Sequence, residues 1–364
     1  MSWEEELINL YDKNSVQAGK IQYKQFQKDK KDEKIPYVLL PPFHTTVTAQ
    51  IQVTVTAEGE FLEAAKVSNE DKLTIIPVTE KSGSRTAGKA PHPLCDNLRY
   101  LAGDYGRYVP DKKGDLGSYH QLYMEELEKW HLSPFSHEKV DAVWLYLKKG
   151  TLLQDLLQEK ILLLNENGYL SDEVKIEGVA QNMAFVRFVV RGKNGMEFGK
   201  AIDECWKDPT LWNCFIQYYH SMEREKELDY LTGEMQTASY LHSKKIRNEG
   251  DGAKLISSND ETNFTFRGRF TTKEQAFAIG NETSQKMHNA LKWIIRKQGK
   301  SFDTLTMVTW ESDMKKMPPW DVDTETISSM AVLDIAIDEG KEEFREQFQD
   351  DLSNEWEDEL EEEV

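Results

Sequence analysis

The segment VTAQIQVTVT, residues 47–56, decides the fold class of this chain. Its apolar side chains stand at every second position: Val47, Ala49, Ile51, Val53 and Val55. Threonine or glutamine fills the positions between them. A period of two is typical of a strand that has one face in a core and the other in solvent. The segment therefore predicts a half-buried antiparallel strand.

The residues that follow this strand predict a β-hairpin. Glu58-Gly59 separates the strand from EFLEAAKV, residues 60–67, in which Phe61, Ala65 and Val67 repeat the period of two. A short turn containing glycine between two such segments is the usual signal for a hairpin.

The rest of the chain predicts further strands and a layer of helices. Strands are expected at KLTIIPV (72–78), AFVRFVVRG (184–192) and DTLTMVTW (303–310), of which the last two are rich in β-branched and aromatic residues. Helical spacing is present at YHQLYMEELEKWHLS (119–133), HEKVDAVWLYLKKG (137–150), TLLQDLLQEKILLLN (151–165), DPTLWNCFIQYYH (208–220) and SQKMHNALKWIIRKQG (284–299).

Together these patterns predict an α+β protein with mixed, mostly antiparallel sheets, a helical layer and an acidic C-terminal helix. Four regions are expected: a β-rich region with a basic loop (1–115), a helical region (116–180), an α+β region with a basic and aromatic segment (181–322), and an acidic helical tail (323–364).

The overall composition is that of a soluble globular protein, with 39% hydrophobic and 30% charged residues in a chain of 364. No apolar run approaches the roughly 18 residues that a membrane span needs. The N-terminal stretch MSWEEELINLYDK carries acids where a signal peptide carries bases. We therefore expect a cytoplasmic protein without membrane contact.

Metal, cofactor and catalytic motifs are not evident in the sequence. Cys95, Cys205 and Cys214 are scattered, and the eight histidines lack HExxH spacing, so neither a disulfide framework nor a zinc site is expected. No GxSxG nucleophile motif is present. Asp321 and Asp323 in WDVDTET could serve a nuclease, but carboxylates at this spacing are more often turn or helix-start residues. We expect no cofactor and no enzymatic activity.

The negative charge of the chain is concentrated at its C-terminal end. Of the net charge of −19, residues 338–364 carry −12 and residues 1–337 carry −7. Within this acidic tail, apolar residues recur four apart: Phe344, Phe348, Leu352, Trp356 and Leu360. On a helix they form one narrow stripe, which is typical either of a solvated terminal helix or of a helix that docks on a partner.

A first group of cations lies in the stretch SGSRTAGKAPHPLCDNLRYLAGDYG, residues 82–106. We call residues 81–92 the basic loop; its possible contact residues are Lys81, Ser82, Ser84, Arg85, Lys89 and His92. Small residues allow a close approach of the backbone to phosphate, and cations neutralise it. The alternative is a flexible connector. A helix at Leu94–Tyr100 is expected to hold the loop in place.

A second basic segment, residues 241–270, interleaves cations with phenylalanines. Its possible contact residues are Lys244, Lys245, Arg247, Lys254, Ser257, Ser258, Asn259, Arg267 and Arg269. Cations with aromatic rings suit neutralisation of phosphates and base stacking, and serine and asparagine can reach base edges. The alternative is the buried face of an ordinary strand.

A third stretch, residues 283–302, contains no acid. Met287, Ala290, Leu291 and Ile294 are expected on its core face, with Lys286, Trp293, Lys297 and Lys300 on the other side. This basicity suits either nucleic acid or simply the negative end of a helix dipole.

Four runs in this order resemble a known family: RTAGKAPHPLCDNLRYLAGDYG, YHQLYMEELEKWHLSPFSHEKVDAVWLYLKKGTLLQDL, LTGEMQTASYLHSKKIRNEGDGAKLISSNDETNFTFRG and EQAFAIGNETSQKMHNALKWII. The chain resembles the large subunit of the type I-C CRISPR interference complex, the Cascade surveillance assembly, from about Ile8 to Trp310.

The resemblance implies a non-catalytic subunit of an RNA-guided antiviral complex. Such a subunit lies near the 5′ handle of the guide RNA, reads the protospacer-adjacent motif in target duplex DNA and helps to open the duplex. Its partners are then the guide RNA, the target DNA, the backbone and handle-binding subunits of Cascade, and the helicase-nuclease. The competing expectation is an adaptor that binds proteins through its acidic helix and touches nucleic acid little.

Two departures from the family are visible. Members of the family usually continue into a helical C-terminal region, whereas this chain stops at the acidic tail, so a truncated or short form is expected. The middle motif reads GDGAKLISSND, residues 250–260, where the family has small residues with glutamine and serine. The motif preference of this chain is therefore expected to differ.

Overall fold

A computed structural model describes residues 2–28, 31–83, 85, 89–111, 114–192, 202–222, 226–248, 250–256, 278–302 and 304–311. Its helices are α1 (Trp3–Lys13), α2 (Glu80–Gly83), α3 (Leu98–Leu101), α4 (Tyr105–Tyr108), α5 (Gly117–His131), α6 (Glu138–Leu147), α7 (Leu152–Gln158), α8 (Pro209–Ser221) and α9 (Asn281–Gln298). Its strands are β1 (Gln22–Lys28), β2 (Lys31–Tyr37), β3 (His44–Thr48), β4 (Ile51–Thr56), β5 (Phe61–Lys66), β6 (Leu73–Pro77), β7 (Lys175–Ile176), β8 (Val179–Ala180), β9 (Val186–Arg191), β10 (Lys226–Leu228), β11 (Met235–Thr237), β12 (Lys300–Phe302) and β13 (Leu305–Met307). The α+β class is confirmed.

The central sheet places β4 between β5 and β9. β4 runs antiparallel to β5 and parallel to β9, and the other strand pairs are antiparallel. Thr54 and Thr56 are buried together with Ile51, Val53 and Val55, so β4 is covered on both faces. The predicted half-buried antiparallel strand is therefore wrong in two respects: the strand has one parallel neighbour, and it lies inside the core.

The segment of residues 47–56 also forms two strands rather than one. β3 ends at Thr48 and pairs with β6, whereas β4 begins at Ile51 and belongs to the central sheet. Gln50 lies at the break, where its buried side chain accepts a 2.7 Å hydrogen bond from the Phe185 amide and donates one of 2.9 Å to the Thr48 carbonyl. The amide side chain thus satisfies backbone groups at the point where the strand changes partner.

The predicted hairpin is confirmed, with an irregular register. A β-bulge interrupts the pairing of β4 with β5 between Thr54 and Val55, so that Ala64 lies opposite Val53. A bulge moves the following side chains to the other face of the strand. Ala65 is consequently exposed, although the period of two predicted it on the inner face.

The predicted helical layer is present as α5, α6 and α7, which pack with the central sheet and α8 in one hydrophobic core. Lys139 of α6 reaches the N-cap residue of α8, with its ammonium 2.6 Å from the Asp208 carboxylate. Asp208 also accepts a 2.9 Å hydrogen bond from the Thr210 amide, which caps α8. This buried ion pair fixes the start of α8 against α6.

A second core joins the two ends of the described chain. Leu7, Leu10 and Tyr11 of α1 pack against α9, with Leu39 and Ile246 in the same cluster. The ammonium of Lys286 lies 3.2 Å from the Asp12 carboxylate. The first helix is therefore stabilised by a helix almost 270 residues further along the chain. The division of the chain into four regions stays a prediction.

Several predicted elements differ in length or lie outside the described residues. The expected helix at Leu94–Tyr100 is wrong, because Leu94 has a left-handed φ of 65° and α3 begins only at Leu98. The strand predicted at 303–310 is reduced to β13, which pairs with β12 in a small hairpin. The acidic C-terminal helix falls outside the described residues.

Candidate nucleic-acid interface

Ser82 of the basic loop is an internal turn residue. Its hydroxyl accepts a 3.0 Å hydrogen bond from the Thr79 amide, and its own amide donates to the Thr79 hydroxyl at 3.1 Å. The Ser82 side chain is buried. Ser82 therefore shapes the start of the loop rather than presenting its hydroxyl to a ligand. Ser84 lies outside the described residues.

Arg85 holds the loop through a bidentate ion pair. Its guanidinium donates two hydrogen bonds of 2.9 and 3.1 Å to the fully buried Asp96 carboxylate, and a third of 3.0 Å to the Ala90 carbonyl. It also lies 4.8 Å from the centre of the Tyr100 ring. Burial alone lowers the pKa of Arg85, but the hydrogen bonds that it donates to Asp96 raise this pKa above its ordinary value. The guanidinium stays charged, and it donates its hydrogen bonds to groups within the protein.

Asp96 organises the backbone of the loop as well. Its carboxylate accepts 2.8 Å hydrogen bonds from the amides of His92 and Asn97. A single buried carboxylate thus connects both ends of the turn from Arg85 to Asn97, and charge-assisted bonds of this kind are stronger than neutral ones.

Lys81 and Lys89 are the exposed cations of the loop. The Lys89 ammonium contacts the Ser118 hydroxyl, lies 3.3 Å from the Asp115 carboxylate and lies 4.7 Å from the centre of the Tyr119 ring. Surface ion pairs contribute only about 0–1 kcal/mol. Exchanging such a contact for a phosphate group costs little, so Lys89 is available for an anion.

His92 is buried and neutral. Burial lowers the pKa of its imidazole to about 4, so the ring carries no charge at pH 7. Its Nδ1 has no hydrogen-bond partner among the described residues. His92 is therefore not a phosphate-binding cation.

The basic loop forms one wall of a cavity of about 510 Å³, which we call the loop cavity. Helices α5 and α8 form the other walls. Residues that line it include Lys81, Lys89 and His92 from the loop, Leu122 and Trp130 from α5, and Tyr218 from α8. The sequence predicts both helices but not the cavity between them, for which the consecutive aromatics Tyr218 and Tyr219 are the available signal.

The second basic segment lies next to the basic loop, a proximity that the sequence did not indicate. The Glu80 carboxylate accepts hydrogen bonds of 3.3 and 2.9 Å from the amides of Tyr240 and Leu241. Its own amide donates a 3.0 Å hydrogen bond to the Tyr219 hydroxyl. Glu80 therefore joins the start of the basic loop to the backbone that leads into Lys244.

Within the second basic segment, the described cations have different roles. Lys244 and Lys245 are exposed, and Ile246 beside them is anchored in the second core. The Arg247 guanidinium donates to both Asp251 carboxylate oxygens at 2.9 and 3.0 Å and therefore stabilises the turn. Burial, and secondarily the charge of Lys244, lowers the pKa of Lys254. The predicted contacts Ser257, Ser258, Asn259, Arg267 and Arg269 lie outside the described residues.

The third stretch is mostly a packing helix. Its predicted core face is confirmed, but Trp293 is buried and not on the exposed side as predicted. The Lys297 ammonium lies 4.8 Å from the centre of the Trp293 ring, so this ring forms the inner support of an outer cation. Lys286 is engaged with Asp12 and Glu282.

Other predicted sites gain no structural account. The partner-binding stripe Phe344, Phe348, Leu352 and Trp356, and the carboxylates Asp321 and Asp323, lie outside the described residues. Among the residues that are described, no group of three or more histidine, cysteine, aspartate or glutamate side chains could hold a metal ion. Nor is any helix in this part of the chain both long and apolar enough to cross a membrane.

Exposed lysines of the basic loop therefore line a cavity with aromatic side chains, and the second basic segment lies beside this loop. Cations beside aromatic side chains are found in proteins that hold nucleic acid. Comparison with known families shows the class of this protein. Residues 21–360 match the family described as "CRISPR-associated protein (Cas_Csd1)". The chain belongs to this CRISPR-associated family. No curated protein matches it.

Proposed function

We propose that this chain is the non-catalytic large subunit of a type I-C RNA-guided surveillance complex. In this role it recognises the protospacer-adjacent motif in duplex DNA, aids the opening of the duplex, and contacts the 5′ handle of the guide RNA. Its protein partners are the neighbouring subunits of Cascade and the helicase-nuclease. Family membership supports a role in a CRISPR system, because the family is CRISPR-associated.

The observation that carries the proposal is the meeting of the two basic segments at Glu80. Lys81 follows Glu80 directly, and the backbone bound by the Glu80 carboxylate leads into Lys244 and Lys245. Cations separated by more than 150 residues are therefore presented on neighbouring segments. In RNA-guided recognition, base pairing reads the target, and protein reads the short motif and the phosphate backbone. Neighbouring lysines suit the second task.

The roles of the individual residues follow from their surroundings. Lys81, Lys89, Lys244 and Lys245 neutralise phosphates. Arg85 supports the loop through Asp96 instead of binding DNA directly. Ser257, Ser258 and Asn259 stay the proposed readers of the motif, each contributing on the order of 1–3 kcal/mol if it binds a base edge.

The test is a binding measurement with the chain assembled on guide RNA and the other subunits. Affinity is compared for a duplex that carries the motif and for one with a scrambled motif, at several salt concentrations. We expect tighter binding of the motif-bearing duplex. Equal affinities for the two duplexes would refute the proposal.

Matched lysine variants then test the surface. Replacing Lys244 and Lys245 by alanine is expected to weaken binding to every sequence. The slope of log affinity against log salt is expected to become shallower by about 0.9 for each phosphate that the variant no longer neutralises. The control is Lys175→Ala, which removes an exposed lysine outside both segments. A loss of affinity in the control half as large as that in the double variant would show that only net charge matters.

A further inference from the structure

We propose that the acidic tail, residues 338–364, docks on the exposed lysines of its own chain, Lys81, Lys89, Lys244 and Lys245, and competes there with duplex DNA. This inference rests on the proposed function, since it assigns an internal competitor to the lysines that neutralise phosphates. The contact is autoinhibitory, because it lowers the affinity for every duplex until DNA displaces the tail.

The charge of the tail selects it as the occupant. The tail lies outside the described residues, and its sequence carries 14 acids against Lys341 and Arg345, a net charge of −12. Lysine ammonium groups form charge-assisted hydrogen bonds with carboxylates as well as with phosphates. Acidic tails of this kind are typical interaction segments. The tail therefore offers the lysines the same type of partner that a DNA backbone does.

Like charges crowd the second basic segment. Lys244 is exposed, and burial and then the charge of Lys244 lower the pKa of Lys254. Glu80 acts in the opposite direction, but its carboxylate already accepts hydrogen bonds from two backbone amides. Asp251 is bound by both donor groups of the Arg247 guanidinium. Because these two acids have partners within the chain, further negative charge lowers the repulsion between the lysines.

The path of the chain leads toward this surface. Near the last described residues, Trp310 packs against the second core, which also contains Ile246 of the second basic segment. The Arg247 guanidinium donates a 2.7 Å hydrogen bond to the Thr304 carbonyl, in the turn between β12 and β13. The described chain therefore ends beside the second basic segment, and the tail follows after residues 312–337.

The tether sets the size of the effect. Extended residues span at most about 3.3–3.6 Å each, so residues 312–337 reach up to about 90 Å. Groups that are tethered to each other meet at an effective concentration of about 1 mM. Non-specific contacts between lysines and a polyanion have dissociation constants of about 0.1 mM at the weak end of their range. About one chain in ten then has its lysines available, which lowers the apparent affinity for DNA about tenfold.

Carbodiimide crosslinking of the full-length chain tests the contact itself. The reagent joins a carboxylate to an amine when the two groups touch, and mass spectrometry maps the joined residues. We expect crosslinks from the tail to Lys244 or Lys245 and none to the exposed Lys175. Isotope-labelled and unlabelled chains are mixed, and crosslinks within one chain are expected. Crosslinks only between different chains, or none from the tail to either basic segment, would overturn the proposal.

Duplex binding by the assembled complex measures the competition. The full-length chain is compared with a chain lacking residues 338–364 and with one whose tail acids are replaced by their amides, Asp by Asn and Glu by Gln. We expect deletion and neutralisation to tighten binding about tenfold at low salt. The gain is expected to shrink as salt screens the contact. Wild-type affinity of the neutralised chain would show that charge does not hold the tail.

Repulsion of DNA by the tail at a distance would also make deletion favourable, so the lysines provide the decisive comparison. In a Lys244→Ala, Lys245→Ala background two of the four lysines are gone, and we expect deletion to tighten binding only about threefold, half of the gain on a logarithmic scale. A Lys175→Ala background is expected to keep the full gain. An equal gain in all backgrounds would mean repulsion without docking, and the proposal would be wrong.

Failure of this inference is distinct from failure of the proposed function. If the complex prefers the motif-bearing duplex but the tail gives no crosslinks to the basic segments, the internal contact is wrong and the function stands. If the tail crosslinks to these lysines but the two duplexes bind equally, the proposed function falls and the internal contact stands.

Discussion

Asp96→Asn separates two roles of Arg85, because it leaves every cation in place and removes one negative charge. If Arg85 contacted phosphate directly, loss of the competing carboxylate would strengthen DNA binding. In the structure Arg85 supports the loop through Asp96, so Asp96→Asn is expected to weaken binding as much as Arg85→Ala does. The two roles therefore predict effects of opposite sign.

The effect of Asp96→Asn on stability follows from the contacts of the carboxylate. Asp96 is fully buried and accepts four hydrogen bonds, two from Arg85 and two from backbone amides. Breaking a buried ion pair costs about 3–5 kcal/mol. Because the Arg85 side chain keeps 20% exposure and recovers some hydration, we expect the lower end, about 3 kcal/mol.

Two measurements are combined: urea unfolding of the chain, and duplex binding by the assembled complex. A double-mutant cycle of Arg85→Met and Asp96→Asn is expected to give a coupling energy of about 2 kcal/mol, within the range measured for residues in one network. A coupling below about 0.5 kcal/mol, the level at which independent sites add, would refute the structural role of the pair. Stronger DNA binding by Asp96→Asn would refute the indirect role of Arg85.

The remaining predictions concern pH, a turn and the tail. The free energy of unfolding is expected to fall from pH 7 to pH 5, because burial lowers the pKa of four histidines from 6.5, so that the unfolded chain binds more protons than the folded one. Each histidine contributes a loss of roughly 2 kcal/mol at pH 5. Equal urea midpoints at both pH values would contradict this. These histidines have pKa values of about 4 (His44, His92 and His288) and about 3 (His242). Gly59→Ala is expected to destabilise the protein more than Gly168→Ala in thermal unfolding. Both glycines have positive φ, but of the two only Gly59 has a neighbour for an added Cβ, which would lie 2.6 Å from the Leu145 Cβ. An equal fall in Tm for both variants would refute the packing role of Gly59. Deletion of residues 338–364 is expected to spare assembly with the other subunits, and loss of assembly in pull-down would favour the adaptor alternative.

The sequence predicted the elements whose side chains follow a regular period. Helices α5, α6, α8 and α9 are predicted because their apolar residues recur at helical spacing. The same rule failed at β4, since a strand with neighbours on both sides buries its threonines too. It failed at Trp293, because this indole is buried in the second core with the Lys297 ammonium outside it.

The candidate site was less accessible to sequence reasoning. The exposed lysines of the basic loop could be predicted from composition, but the pairing of Arg85 with Asp96 could not, because no local pattern shows which acid a cation will meet. The loop cavity combines a loop, α5 and α8, which lie up to about 140 residues apart. Only packing brings these walls together. An aspartate between apolar residues, as in LCDNL, was the available signal of a buried carboxylate.

The packing of α1 on α9 also has a consequence for the timing of synthesis. A ribosome adds about 5–20 residues per second, so α1 emerges on the order of tens of seconds before the helix that covers it. During that interval Leu7, Leu10 and Tyr11 lack their α9 partner. Of these two helices, the one that is made earlier is buried only when the later one has emerged. Nascent chains stalled before residue 281 are therefore expected to present this apolar stripe to chaperones.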